Sequence, residues 1–240
     1  MGGMEQGVPE GAAPRRVMVI FAHPDDAEFT CGGTLAKWAN ADAAICYVVG
    51  TDGSKGGDDL DVDDAALRDL RESEQWAAAA ALGVAEVIFL RHPDGELASA
   101  RELREELTRA IRRWRPDRLL TWDAWRPYQL HPDHKAMGLA ATEAVLAAAN
   151  PRMYVAQLAN GIGPHRVPEV YLFGSEKPDV WVDIADSFAQ KIAAIACHRS
   201  QGGAASDVID RVAQCAAGHL GRSGYALAEA FKVLRPFCGL

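Results

Sequence analysis

Two short segments rich in histidine and aspartate carry the side chains best suited to chemistry. The first reads His23-Pro-Asp-Asp-Ala-Glu28 and the second reads His131-Pro-Asp-His134. Catalytic zinc is held by histidine nitrogens and carboxylate oxygens, with three protein ligands and one position left for water. Such a centre supports hydrolysis because the metal acidifies water and polarises a carbonyl group. The two segments therefore predict a hydrolytic metal site.

The spacing of these residues suggests a division of roles. His23 and Asp26 lie three residues apart at an expected turn from strand to helix, and His134 would complete a set of two histidines and one carboxylate. Asp25 would then stand free beside the activated water, as a general base requires. His131 would be free to polarise a carbonyl oxygen or to donate a proton. Ligand chemistry thus suggests three metal ligands, and it leaves Asp25 and His131 for proton transfer or for polarising the carbonyl group.

A further carboxylate, Asp133, lies inside the second segment, and we expect it to orient His131 through the second ring nitrogen. A structural interpretation of both segments stays open on the residues alone. Adjacent aspartates before a helix are often N-caps, and a single histidine after a strand is often an ordinary loop residue. Two such clusters, each at the end of a predicted strand, are harder to explain by capping.

The elements that must position these segments alternate along the chain. Short apolar runs predict strands at 17–22, 45–49, 86–90, 118–122, 169–173 and 180–183. Helix-forming stretches predict helices at 34–40, 65–82, 99–114, 133–149, 187–197 and 205–217. This alternation is typical of βαβ units, so we predict an α/β fold with a mostly parallel sheet flanked by helices. Ligands of such sheets bind beyond the carboxyl ends of the strands, where both segments lie.

Length, composition and charge limit the domain organisation, the partners and the location of the protein. The chain has 240 residues, 49% of them hydrophobic, and a net charge of −8. We expect a flexible tail at 1–14 and a single domain at 15–240. The excess of acidic residues argues against nucleic acid as a partner, and no apolar run is long enough to span a membrane. The cysteines are odd in number and form no CxxC pair, which favours reduced thiols in a cytoplasmic protein: Cys31, Cys46, Cys197, Cys215 and Cys238.

The two segments resemble the motifs of the LmbE-like, PIG-L family of zinc-dependent de-N-acetylases. The specific part is Ala22-His-Pro-Asp-Asp-Ala-Glu28 followed by Gly32-Gly33, and His131-Pro-Asp-His134 matches the second family motif. Weaker similarities occur at 51–53, 71–74, 94–95 and 191–201. The resemblance therefore extends from about Arg16 to Gln201, and we expect residues 202–240 to form a helix at a subunit interface.

The resemblance implies a Rossmann-like fold and one Zn²⁺ per chain, with Fe²⁺ or another divalent metal as the alternative ion. It assigns the metal to His23, Asp26 and His134, the general base to Asp25, and stabilisation of the oxyanion to His131. It implies an N-acetylated amino sugar or glycoside as the substrate, acetate and a free amine as the products, and a homo-oligomeric enzyme. In the mechanism that we expect, a protonated His131 and the metal hold the oxyanion.

Four residues are candidates for contact with the substrate: Arg71, Asp94, Trp125 and Tyr128. Arg71 could bind a hydroxyl or phosphate group, or it could pair with Glu74 on an exposed helix face. Asp94 could bind a sugar hydroxyl or simply form an Asp-Gly turn. Trp125 and Tyr128 lie in a loop beside the second segment, where aromatic faces can stack on a sugar. Tyr128 is one residue before the position at which some family members have a tyrosine.

Two alternative functions are kept beside the deacetylase. One is a zinc amidase that cleaves a larger amide, such as a thiol conjugate. The other is a relative that binds a metal or a sugar without catalysis. This second alternative is disfavoured because Asp25 and His131, which binding alone would not need, are both present.

Overall fold

The predicted α/β class is confirmed by a computed structural model that describes residues 8–9, 12–57 and 61–238. Most of the predicted tail, at 1–7 and 10–11, lies outside these ranges. The strands are β1 Val8–Pro9, β2 Arg16–Phe21, β3 Ala44–Thr51, β4 Glu86–His92, β5 Arg118–Trp122, β6 Glu169–Phe173, β7 Val180–Asp183 and β8 Ala228–Leu234. In the described ranges they form one sheet in the order β1-β7-β8-β6-β5-β2-β3-β4. Only β8 runs antiparallel to its neighbours among these strands.

The helices connect these strands and cover both faces of the sheet. They are α1 Asp26–Ala39, α2 Asp64–Ala81, α3 Arg101–Trp114, α4 Pro132–Ala149, α5 Phe188–Ile195, α6 Ser206–Ala217 and α7 Leu220–Ser223. Among the helices of the described ranges, none combines the length and the hydrophobicity that a bilayer crossing requires.

Strand β2 lies inside the sheet and is apolar from Val17 to Phe21. Val17, Val19 and Phe21 pack against α1 on one face of the sheet. Met18 and Ile20 pack against α3 and α4 on the other face. Because successive side chains of a strand point to opposite faces, a strand covered on both sides needs apolar residues throughout. The result is two hydrophobic cores that share one sheet.

One helix boundary was predicted wrongly. Helix α1 begins at Asp26 rather than at Thr34, so Gly32 and Gly33 lie inside it. Glycine lowers helix propensity, which is why the pair suggested a helix start. Their small size serves packing instead, because a Cβ atom on Gly33 would come within 2.8 Å of the Ile184 side chain.

The helix expected over residues 202–240 is found only in part. Helix α6 confirms the prediction at 205–217, but the chain then enters β8, which inserts between β6 and β7. From Glu229 onwards the burial alternates along the strand, with Glu229, Phe231 and Val233 buried. The alternation of apolar and polar residues at Phe231, Lys232 and Val233 was the signal for a strand in the sequence. The C-terminal part of the described chain therefore completes the sheet.

Helix α4, which begins within the second segment, packs very closely on β5. A Cβ atom on Gly138 would lie 2.4 Å from the carbonyl oxygen of Trp122 and 3.1 Å from Cβ of Ala124. A backbone carbonyl cannot move aside as a flexible side chain can. Gly138 therefore determines how closely His134, one turn earlier in α4, approaches the end of β5.

We expect Gly138→Ala to lower the free energy of unfolding by about 1–3 kcal/mol, because overpacking forces the backbone to shift. Urea denaturation followed by circular dichroism measures this change. Gly221→Ala in α7 is the matched control, since an added Cβ there meets nothing within 4 Å. Equal stability of the two variants would contradict the close contact of α4 with β5.

Candidate active site

The two segments meet at the carboxyl ends of β2 and β5, which are parallel neighbours in the sheet. Nδ1 of His23 lies 3.2 Å from Nε2 of His134. Nε2 of His134 lies 3.3 Å from Oδ1 of Asp26, and Nδ1 of His23 lies 3.6 Å from Oδ2 of Asp26. The structure thus brings together the three side chains that the sequence suggested as ligands.

These distances can be compared with the size of a metal site. Zinc binds histidine nitrogen and carboxylate oxygen at roughly 2.0–2.2 Å, so two ligands of a tetrahedral site are separated by roughly 3.3–3.6 Å. The distance of 3.2 Å from Nδ1 of His23 to Nε2 of His134 and that of 3.3 Å from Nε2 of His134 to Oδ1 of Asp26 are close to this value. The donor set of two imidazoles and one carboxylate also agrees with zinc or Fe²⁺.

The carboxylate of Asp26 is held firmly from the protein side. Its Oδ2 atom accepts hydrogen bonds from the backbone N–H groups of Ala22 and His23 and from Nε1 of Trp122, each at 3.0 Å. Burial alone would raise the pKa of Asp26, but the hydrogen bonds and charges of His134 and His23 hold it well below its usual range. Asp26 is therefore an anion whose Oδ1 atom lies 3.3 Å from Nε2 of His134.

The second nitrogen of His23 faces two buried carboxylates. Its Nε2–H group lies 3.0 Å from Oδ2 of Asp133 and 3.1 Å from Oδ1 of Asp94. Burial lowers the pKa of His23, but the hydrogen bonds and charges of Asp26 and Asp94 raise it to about 11. The surrounding carboxylates therefore favour a positive charge on the imidazole of His23. A metal ion bound at Nδ1, in place of the proton on that nitrogen, would supply this charge. Carboxylates on the outer nitrogen of a histidine ligand are a common feature of metal sites.

The hydrogen bond expected between Asp133 and His131 is replaced by the bond to His23. Asp133 is fully buried in the first turn of α4, where it also accepts from the backbone N–H groups of Gly95 and Leu97 at 2.7 and 3.0 Å. His131 precedes the helix, whereas these donors lie on its buried side. Asp133 therefore orients one of the expected ligands.

Asp94, which the sequence suggested as a contact for a sugar hydroxyl, is bound to groups inside the protein. Asp94 is 6% exposed, and its Oδ2 atom accepts from the backbone N–H of Lys55 at 3.0 Å. Burial would raise its pKa, but the hydrogen bond and charge of His23 lower it to about 2. Asp94 is a negative charge that supports His23.

Asp25 has an unusual backbone and a tuned side chain. Its φ of 122° and ψ of −28° lie in a region that residues with a side chain rarely adopt. Its carboxylate is 3.4 Å from Nη2 of Arg71. Burial and the charge of Asp26 raise the pKa of Asp25 to about 7, although Arg71 opposes the shift. A carboxylate with this pKa can both accept and return a proton near neutral pH.

Arg71 does not lie on an exposed helix face paired with Glu74. Arg71 is 3% exposed and donates to the carbonyl groups of Gly53 at 2.8 Å and Pro24 at 2.6 Å, and it approaches Asp25. Its side chain is therefore engaged with the first segment rather than exposed for a substrate. Glu74 accepts from the N–H and hydroxyl groups of Ser200 at 2.8 and 2.6 Å.

His131 lies above the expected ligands as part of a stack of rings. Its ring centroid is 4.4 Å from that of His134, at 17° to it, and 4.5 Å from that of His23. On the other side, Trp122 stacks on His134 at 3.9 Å. Burial and the charges of His23 and His134 lower the pKa of His131, which favours the neutral imidazole over the protonated form expected from the sequence.

Trp122 is a site residue that was not among the site residues predicted from the sequence. It is 8% exposed, but it both stacks on His134 and donates to Asp26. Its position at the last residue of β5 was the available signal, since ligands gather at strand ends.

The aromatic residues of the following loop are accessible. Trp125 is 58% exposed and Tyr128 is 91% exposed. They border a surface cavity of about 440 Å³ that Gln129 and Lys135 also line. The loop therefore offers aromatic surface close to the second segment.

Comparisons with known proteins agree with this fold and site, which together define an α/β protein with a buried cluster of histidines and aspartates at the strand ends. A family model described as PIG-L, GlcNAc-PI de-N-acetylase, matches residues 18–145. This match covers more than half of the chain. The chain therefore belongs to the PIG-L family, and it is a de-N-acetylase, a hydrolase that acts on an amide C–N bond.

Individual relatives support the assignment. The chain is 36% identical over 187 residues to diacetylchitobiose deacetylase from Thermococcus kodakarensis, covering 78% of this chain and 70% of that protein. It is 29% identical to a probable N-acetyl-alpha-D-glucosaminyl L-malate deacetylase 2 from Bacillus cereus, covering 78% and 84%. The solved structure of N,N'-diacetylchitobiose deacetylase from Pyrococcus horikoshii, in complex with an inhibitor, superposes with a TM-score of 0.87 at 31% identity. The superposition covers 94% of this chain and 88% of that one.

We expect Asp133→Asn to weaken Zn²⁺ binding about 10- to 100-fold, because it removes the carboxylate that orients His23. Calorimetric titration of the metal-free protein with Zn²⁺ measures the affinity. Asp123→Asn is the matched control, since Asp123 is also buried but accepts from the backbone N–H of Trp125. Wild-type affinity in Asp133→Asn would show that Asp133 has no part in a metal site.

Proposed function

We propose that this protein is a zinc-dependent hydrolase that removes the acetyl group from an N-acetylated amino sugar or glycoside. Acetate and a free amine are the products. The observation that carries the proposal is the convergence of His23, Asp26 and His134 beside Asp25, whose pKa is about 7. The substrate class is supported by the relatives named above, whose substrates contain N-acetylated glucosamine units.

In this proposal His23 Nδ1, Asp26 Oδ1 and His134 Nε2 hold one Zn²⁺ per chain. Zinc in such a site supplies Lewis acidity, which acidifies water and polarises the acetamide carbonyl. The protein fixes the ligand side chains beforehand through Asp133, Asp94 and Trp122. Pre-organised ligands need no rearrangement during the reaction.

Asp25 acts as the general base and takes a proton from the attacking water. Its raised pKa makes it a stronger base than an exposed carboxylate while it remains ionised in part near neutral pH. His131 carries no additional proton in its neutral form, so it is Asp25 that returns the proton to the leaving nitrogen. One proton thus leaves water and reaches the amine through a single carboxyl group.

His131 stabilises the oxyanion that forms on the acetyl carbon. A neutral imidazole retains one N–H donor, which can bind the developing negative charge. The stack on His134 fixes the plane of the ring, at 4.4 Å between centroids. The exposed rings of Trp125 and Tyr128 offer surfaces on which sugar rings can stack.

The proposal is tested by amine release from a panel of acetamides. The panel contains N-acetylglucosamine, diacetylchitobiose, the inositol and malate glycosides of N-acetylglucosamine, and a thiol-conjugate amide. Turnover of the sugar compounds supports the proposal. Turnover of the thiol conjugate alone favours the larger-amide alternative, and no turnover with Zn²⁺ bound favours a binding function.

We expect Asp25→Asn to lower kcat about 10²- to 10⁴-fold on the best substrate of the panel, because the amide cannot accept a proton. Calorimetry should show that the variant still binds Zn²⁺. Asp123→Asn, which removes a nearby buried carboxylate outside the cluster, should keep the wild-type rate. A zinc-loaded Asp25→Asn enzyme with near wild-type kcat would refute the role of Asp25 as base.

We expect His131→Leu to lower kcat about 10²- to 10³-fold, because leucine has no N–H group and this is the usual cost of losing an oxyanion donor. Steady-state kinetics on the same substrate measures this loss. His165→Leu is the control, because burial lowers the pKa of His165 as well, but its Nε2 atom bonds to the carbonyl of Pro116. A similar kcat in both variants would remove His131 from the mechanism.

A further inference from the structure

The unusual backbone of Asp25 needs a cause in its surroundings. A φ of 122° with a ψ of −28° is strained for a residue with a side chain. Strained conformations persist only where neighbouring groups over-determine them, and they gather at functional sites. The contacts that hold this peptide therefore also determine where the Asp25 carboxylate points.

The backbone N–H of Asp25 donates to Oε1 of Gln75 in α2 at 3.0 Å. The carbonyl of Pro24, in the same peptide unit, accepts from Nη2 of Arg71 at 2.6 Å. Arg71 and Gln75 are four residues apart and lie on the same face of α2. One helix thus binds both polar groups of the peptide that joins Pro24 to Asp25.

The amide of Gln75 can present only one of its ends to Asp25. Its Nε2 group donates to Oε1 of Glu28 at 3.0 Å, and Oε2 of Glu28 lies 3.3 Å from Nε2 of His198. Gln75, Glu28 and His198 are all 0% exposed. Because a carboxylate only accepts hydrogen bonds, Glu28 binds the nitrogen of Gln75 and leaves the oxygen for Asp25.

We infer that Gln75 is a positioning residue, which sets the backbone of the general base and is itself oriented by Glu28 and His198. This inference rests on the proposed role of Asp25. The metal ligand Asp26 has separate supports in Ala22, His23 and Trp122. Loss of the Gln75 amide therefore releases the base and leaves the ligands in place. Since Gln75 has no exposed surface, it makes no contact with a substrate.

Gln75→Met tests the inference, because methionine has a similar length and volume but no amide. We expect kcat to fall about 10- to 100-fold, as is typical for residues that orient an active group. We expect KM to change less than about two-fold and Zn²⁺ affinity to stay at the wild-type value. Zinc-loaded protein, steady-state kinetics on the best substrate of the panel, and calorimetry give these quantities.

Gln157→Met is the matched control for a purely structural effect. Gln157 is also buried and makes two hydrogen bonds, from Nη1 of Arg112 at 3.2 Å and to the carbonyl of Glu105 at 2.8 Å. It should lose a comparable amount of thermal stability without losing kcat. Equal kcat values for Gln75→Met and Gln157→Met would overturn the inference, as would a loss confined to KM.

Hydrogen exchange provides a measurement that does not depend on activity. In the wild-type protein we expect the amide proton of Asp25, followed by NMR, to exchange slowly, and in Gln75→Met at least ten-fold faster. Rapid exchange in the wild type would overturn the inference without any variant. If the wild-type protein is inactive on every acetamide but the Asp25 amide exchanges slowly, the proposed function is contradicted. The hydrogen bond from the Asp25 N–H group to Gln75 is then still supported.

Discussion

The structure depends on how it accommodates several negative charges in one buried volume. Asp26, Asp94 and Asp133 all surround His23, and each of the three is at most 7% exposed. Buried charges are costly unless they are paired and hydrogen-bonded. Backbone N–H groups that follow β2, β3 and β4 satisfy part of this need, and the imidazole of His23 satisfies another part. A cation bound between the strand ends, as proposed above, would offset part of the remaining negative charge.

The same region contains one aspartate that is held rigidly, Asp26, and a neighbouring aspartate that is suited to proton transfer, Asp25. Asp26 accepts three hydrogen bonds on one oxygen and is therefore fixed and anionic. Its neighbour Asp25 has a raised pKa and a strained backbone that α2 holds through Arg71 and Gln75. Two adjacent aspartates thus acquire different properties from their surroundings, one suited to binding a metal and the other to moving a proton.

The late part of the chain contributes more than its lack of motifs suggests. Glu229 of β8 accepts from the backbone N–H groups of Gly33 and Thr34 in α1, and it pairs with Lys191 of α5 at 2.5 Å. Lys191 also donates to the carbonyl of Phe29. A buried ion pair is favourable only when further hydrogen bonds satisfy it, and here α1 supplies them. The C-terminal strand therefore holds the helix that begins at the first motif.

Much of the fold and the centre of the site could be predicted from the sequence. The hydrophobic periodicity of a segment depends on local geometry, so β2, β5 and α4 were predicted within a few residues. The residue types and spacing of the two motifs were enough to suggest His23, Asp26, His134 and Asp25, because ligand chemistry is a property of the side chains themselves. The partners of Arg71, Asp94 and Asp133, and the role of Trp122, were decided only by the tertiary structure. Hydrogen bonds between residues far apart in the chain depend on which elements pack together, and a single sequence carries no direct record of that packing.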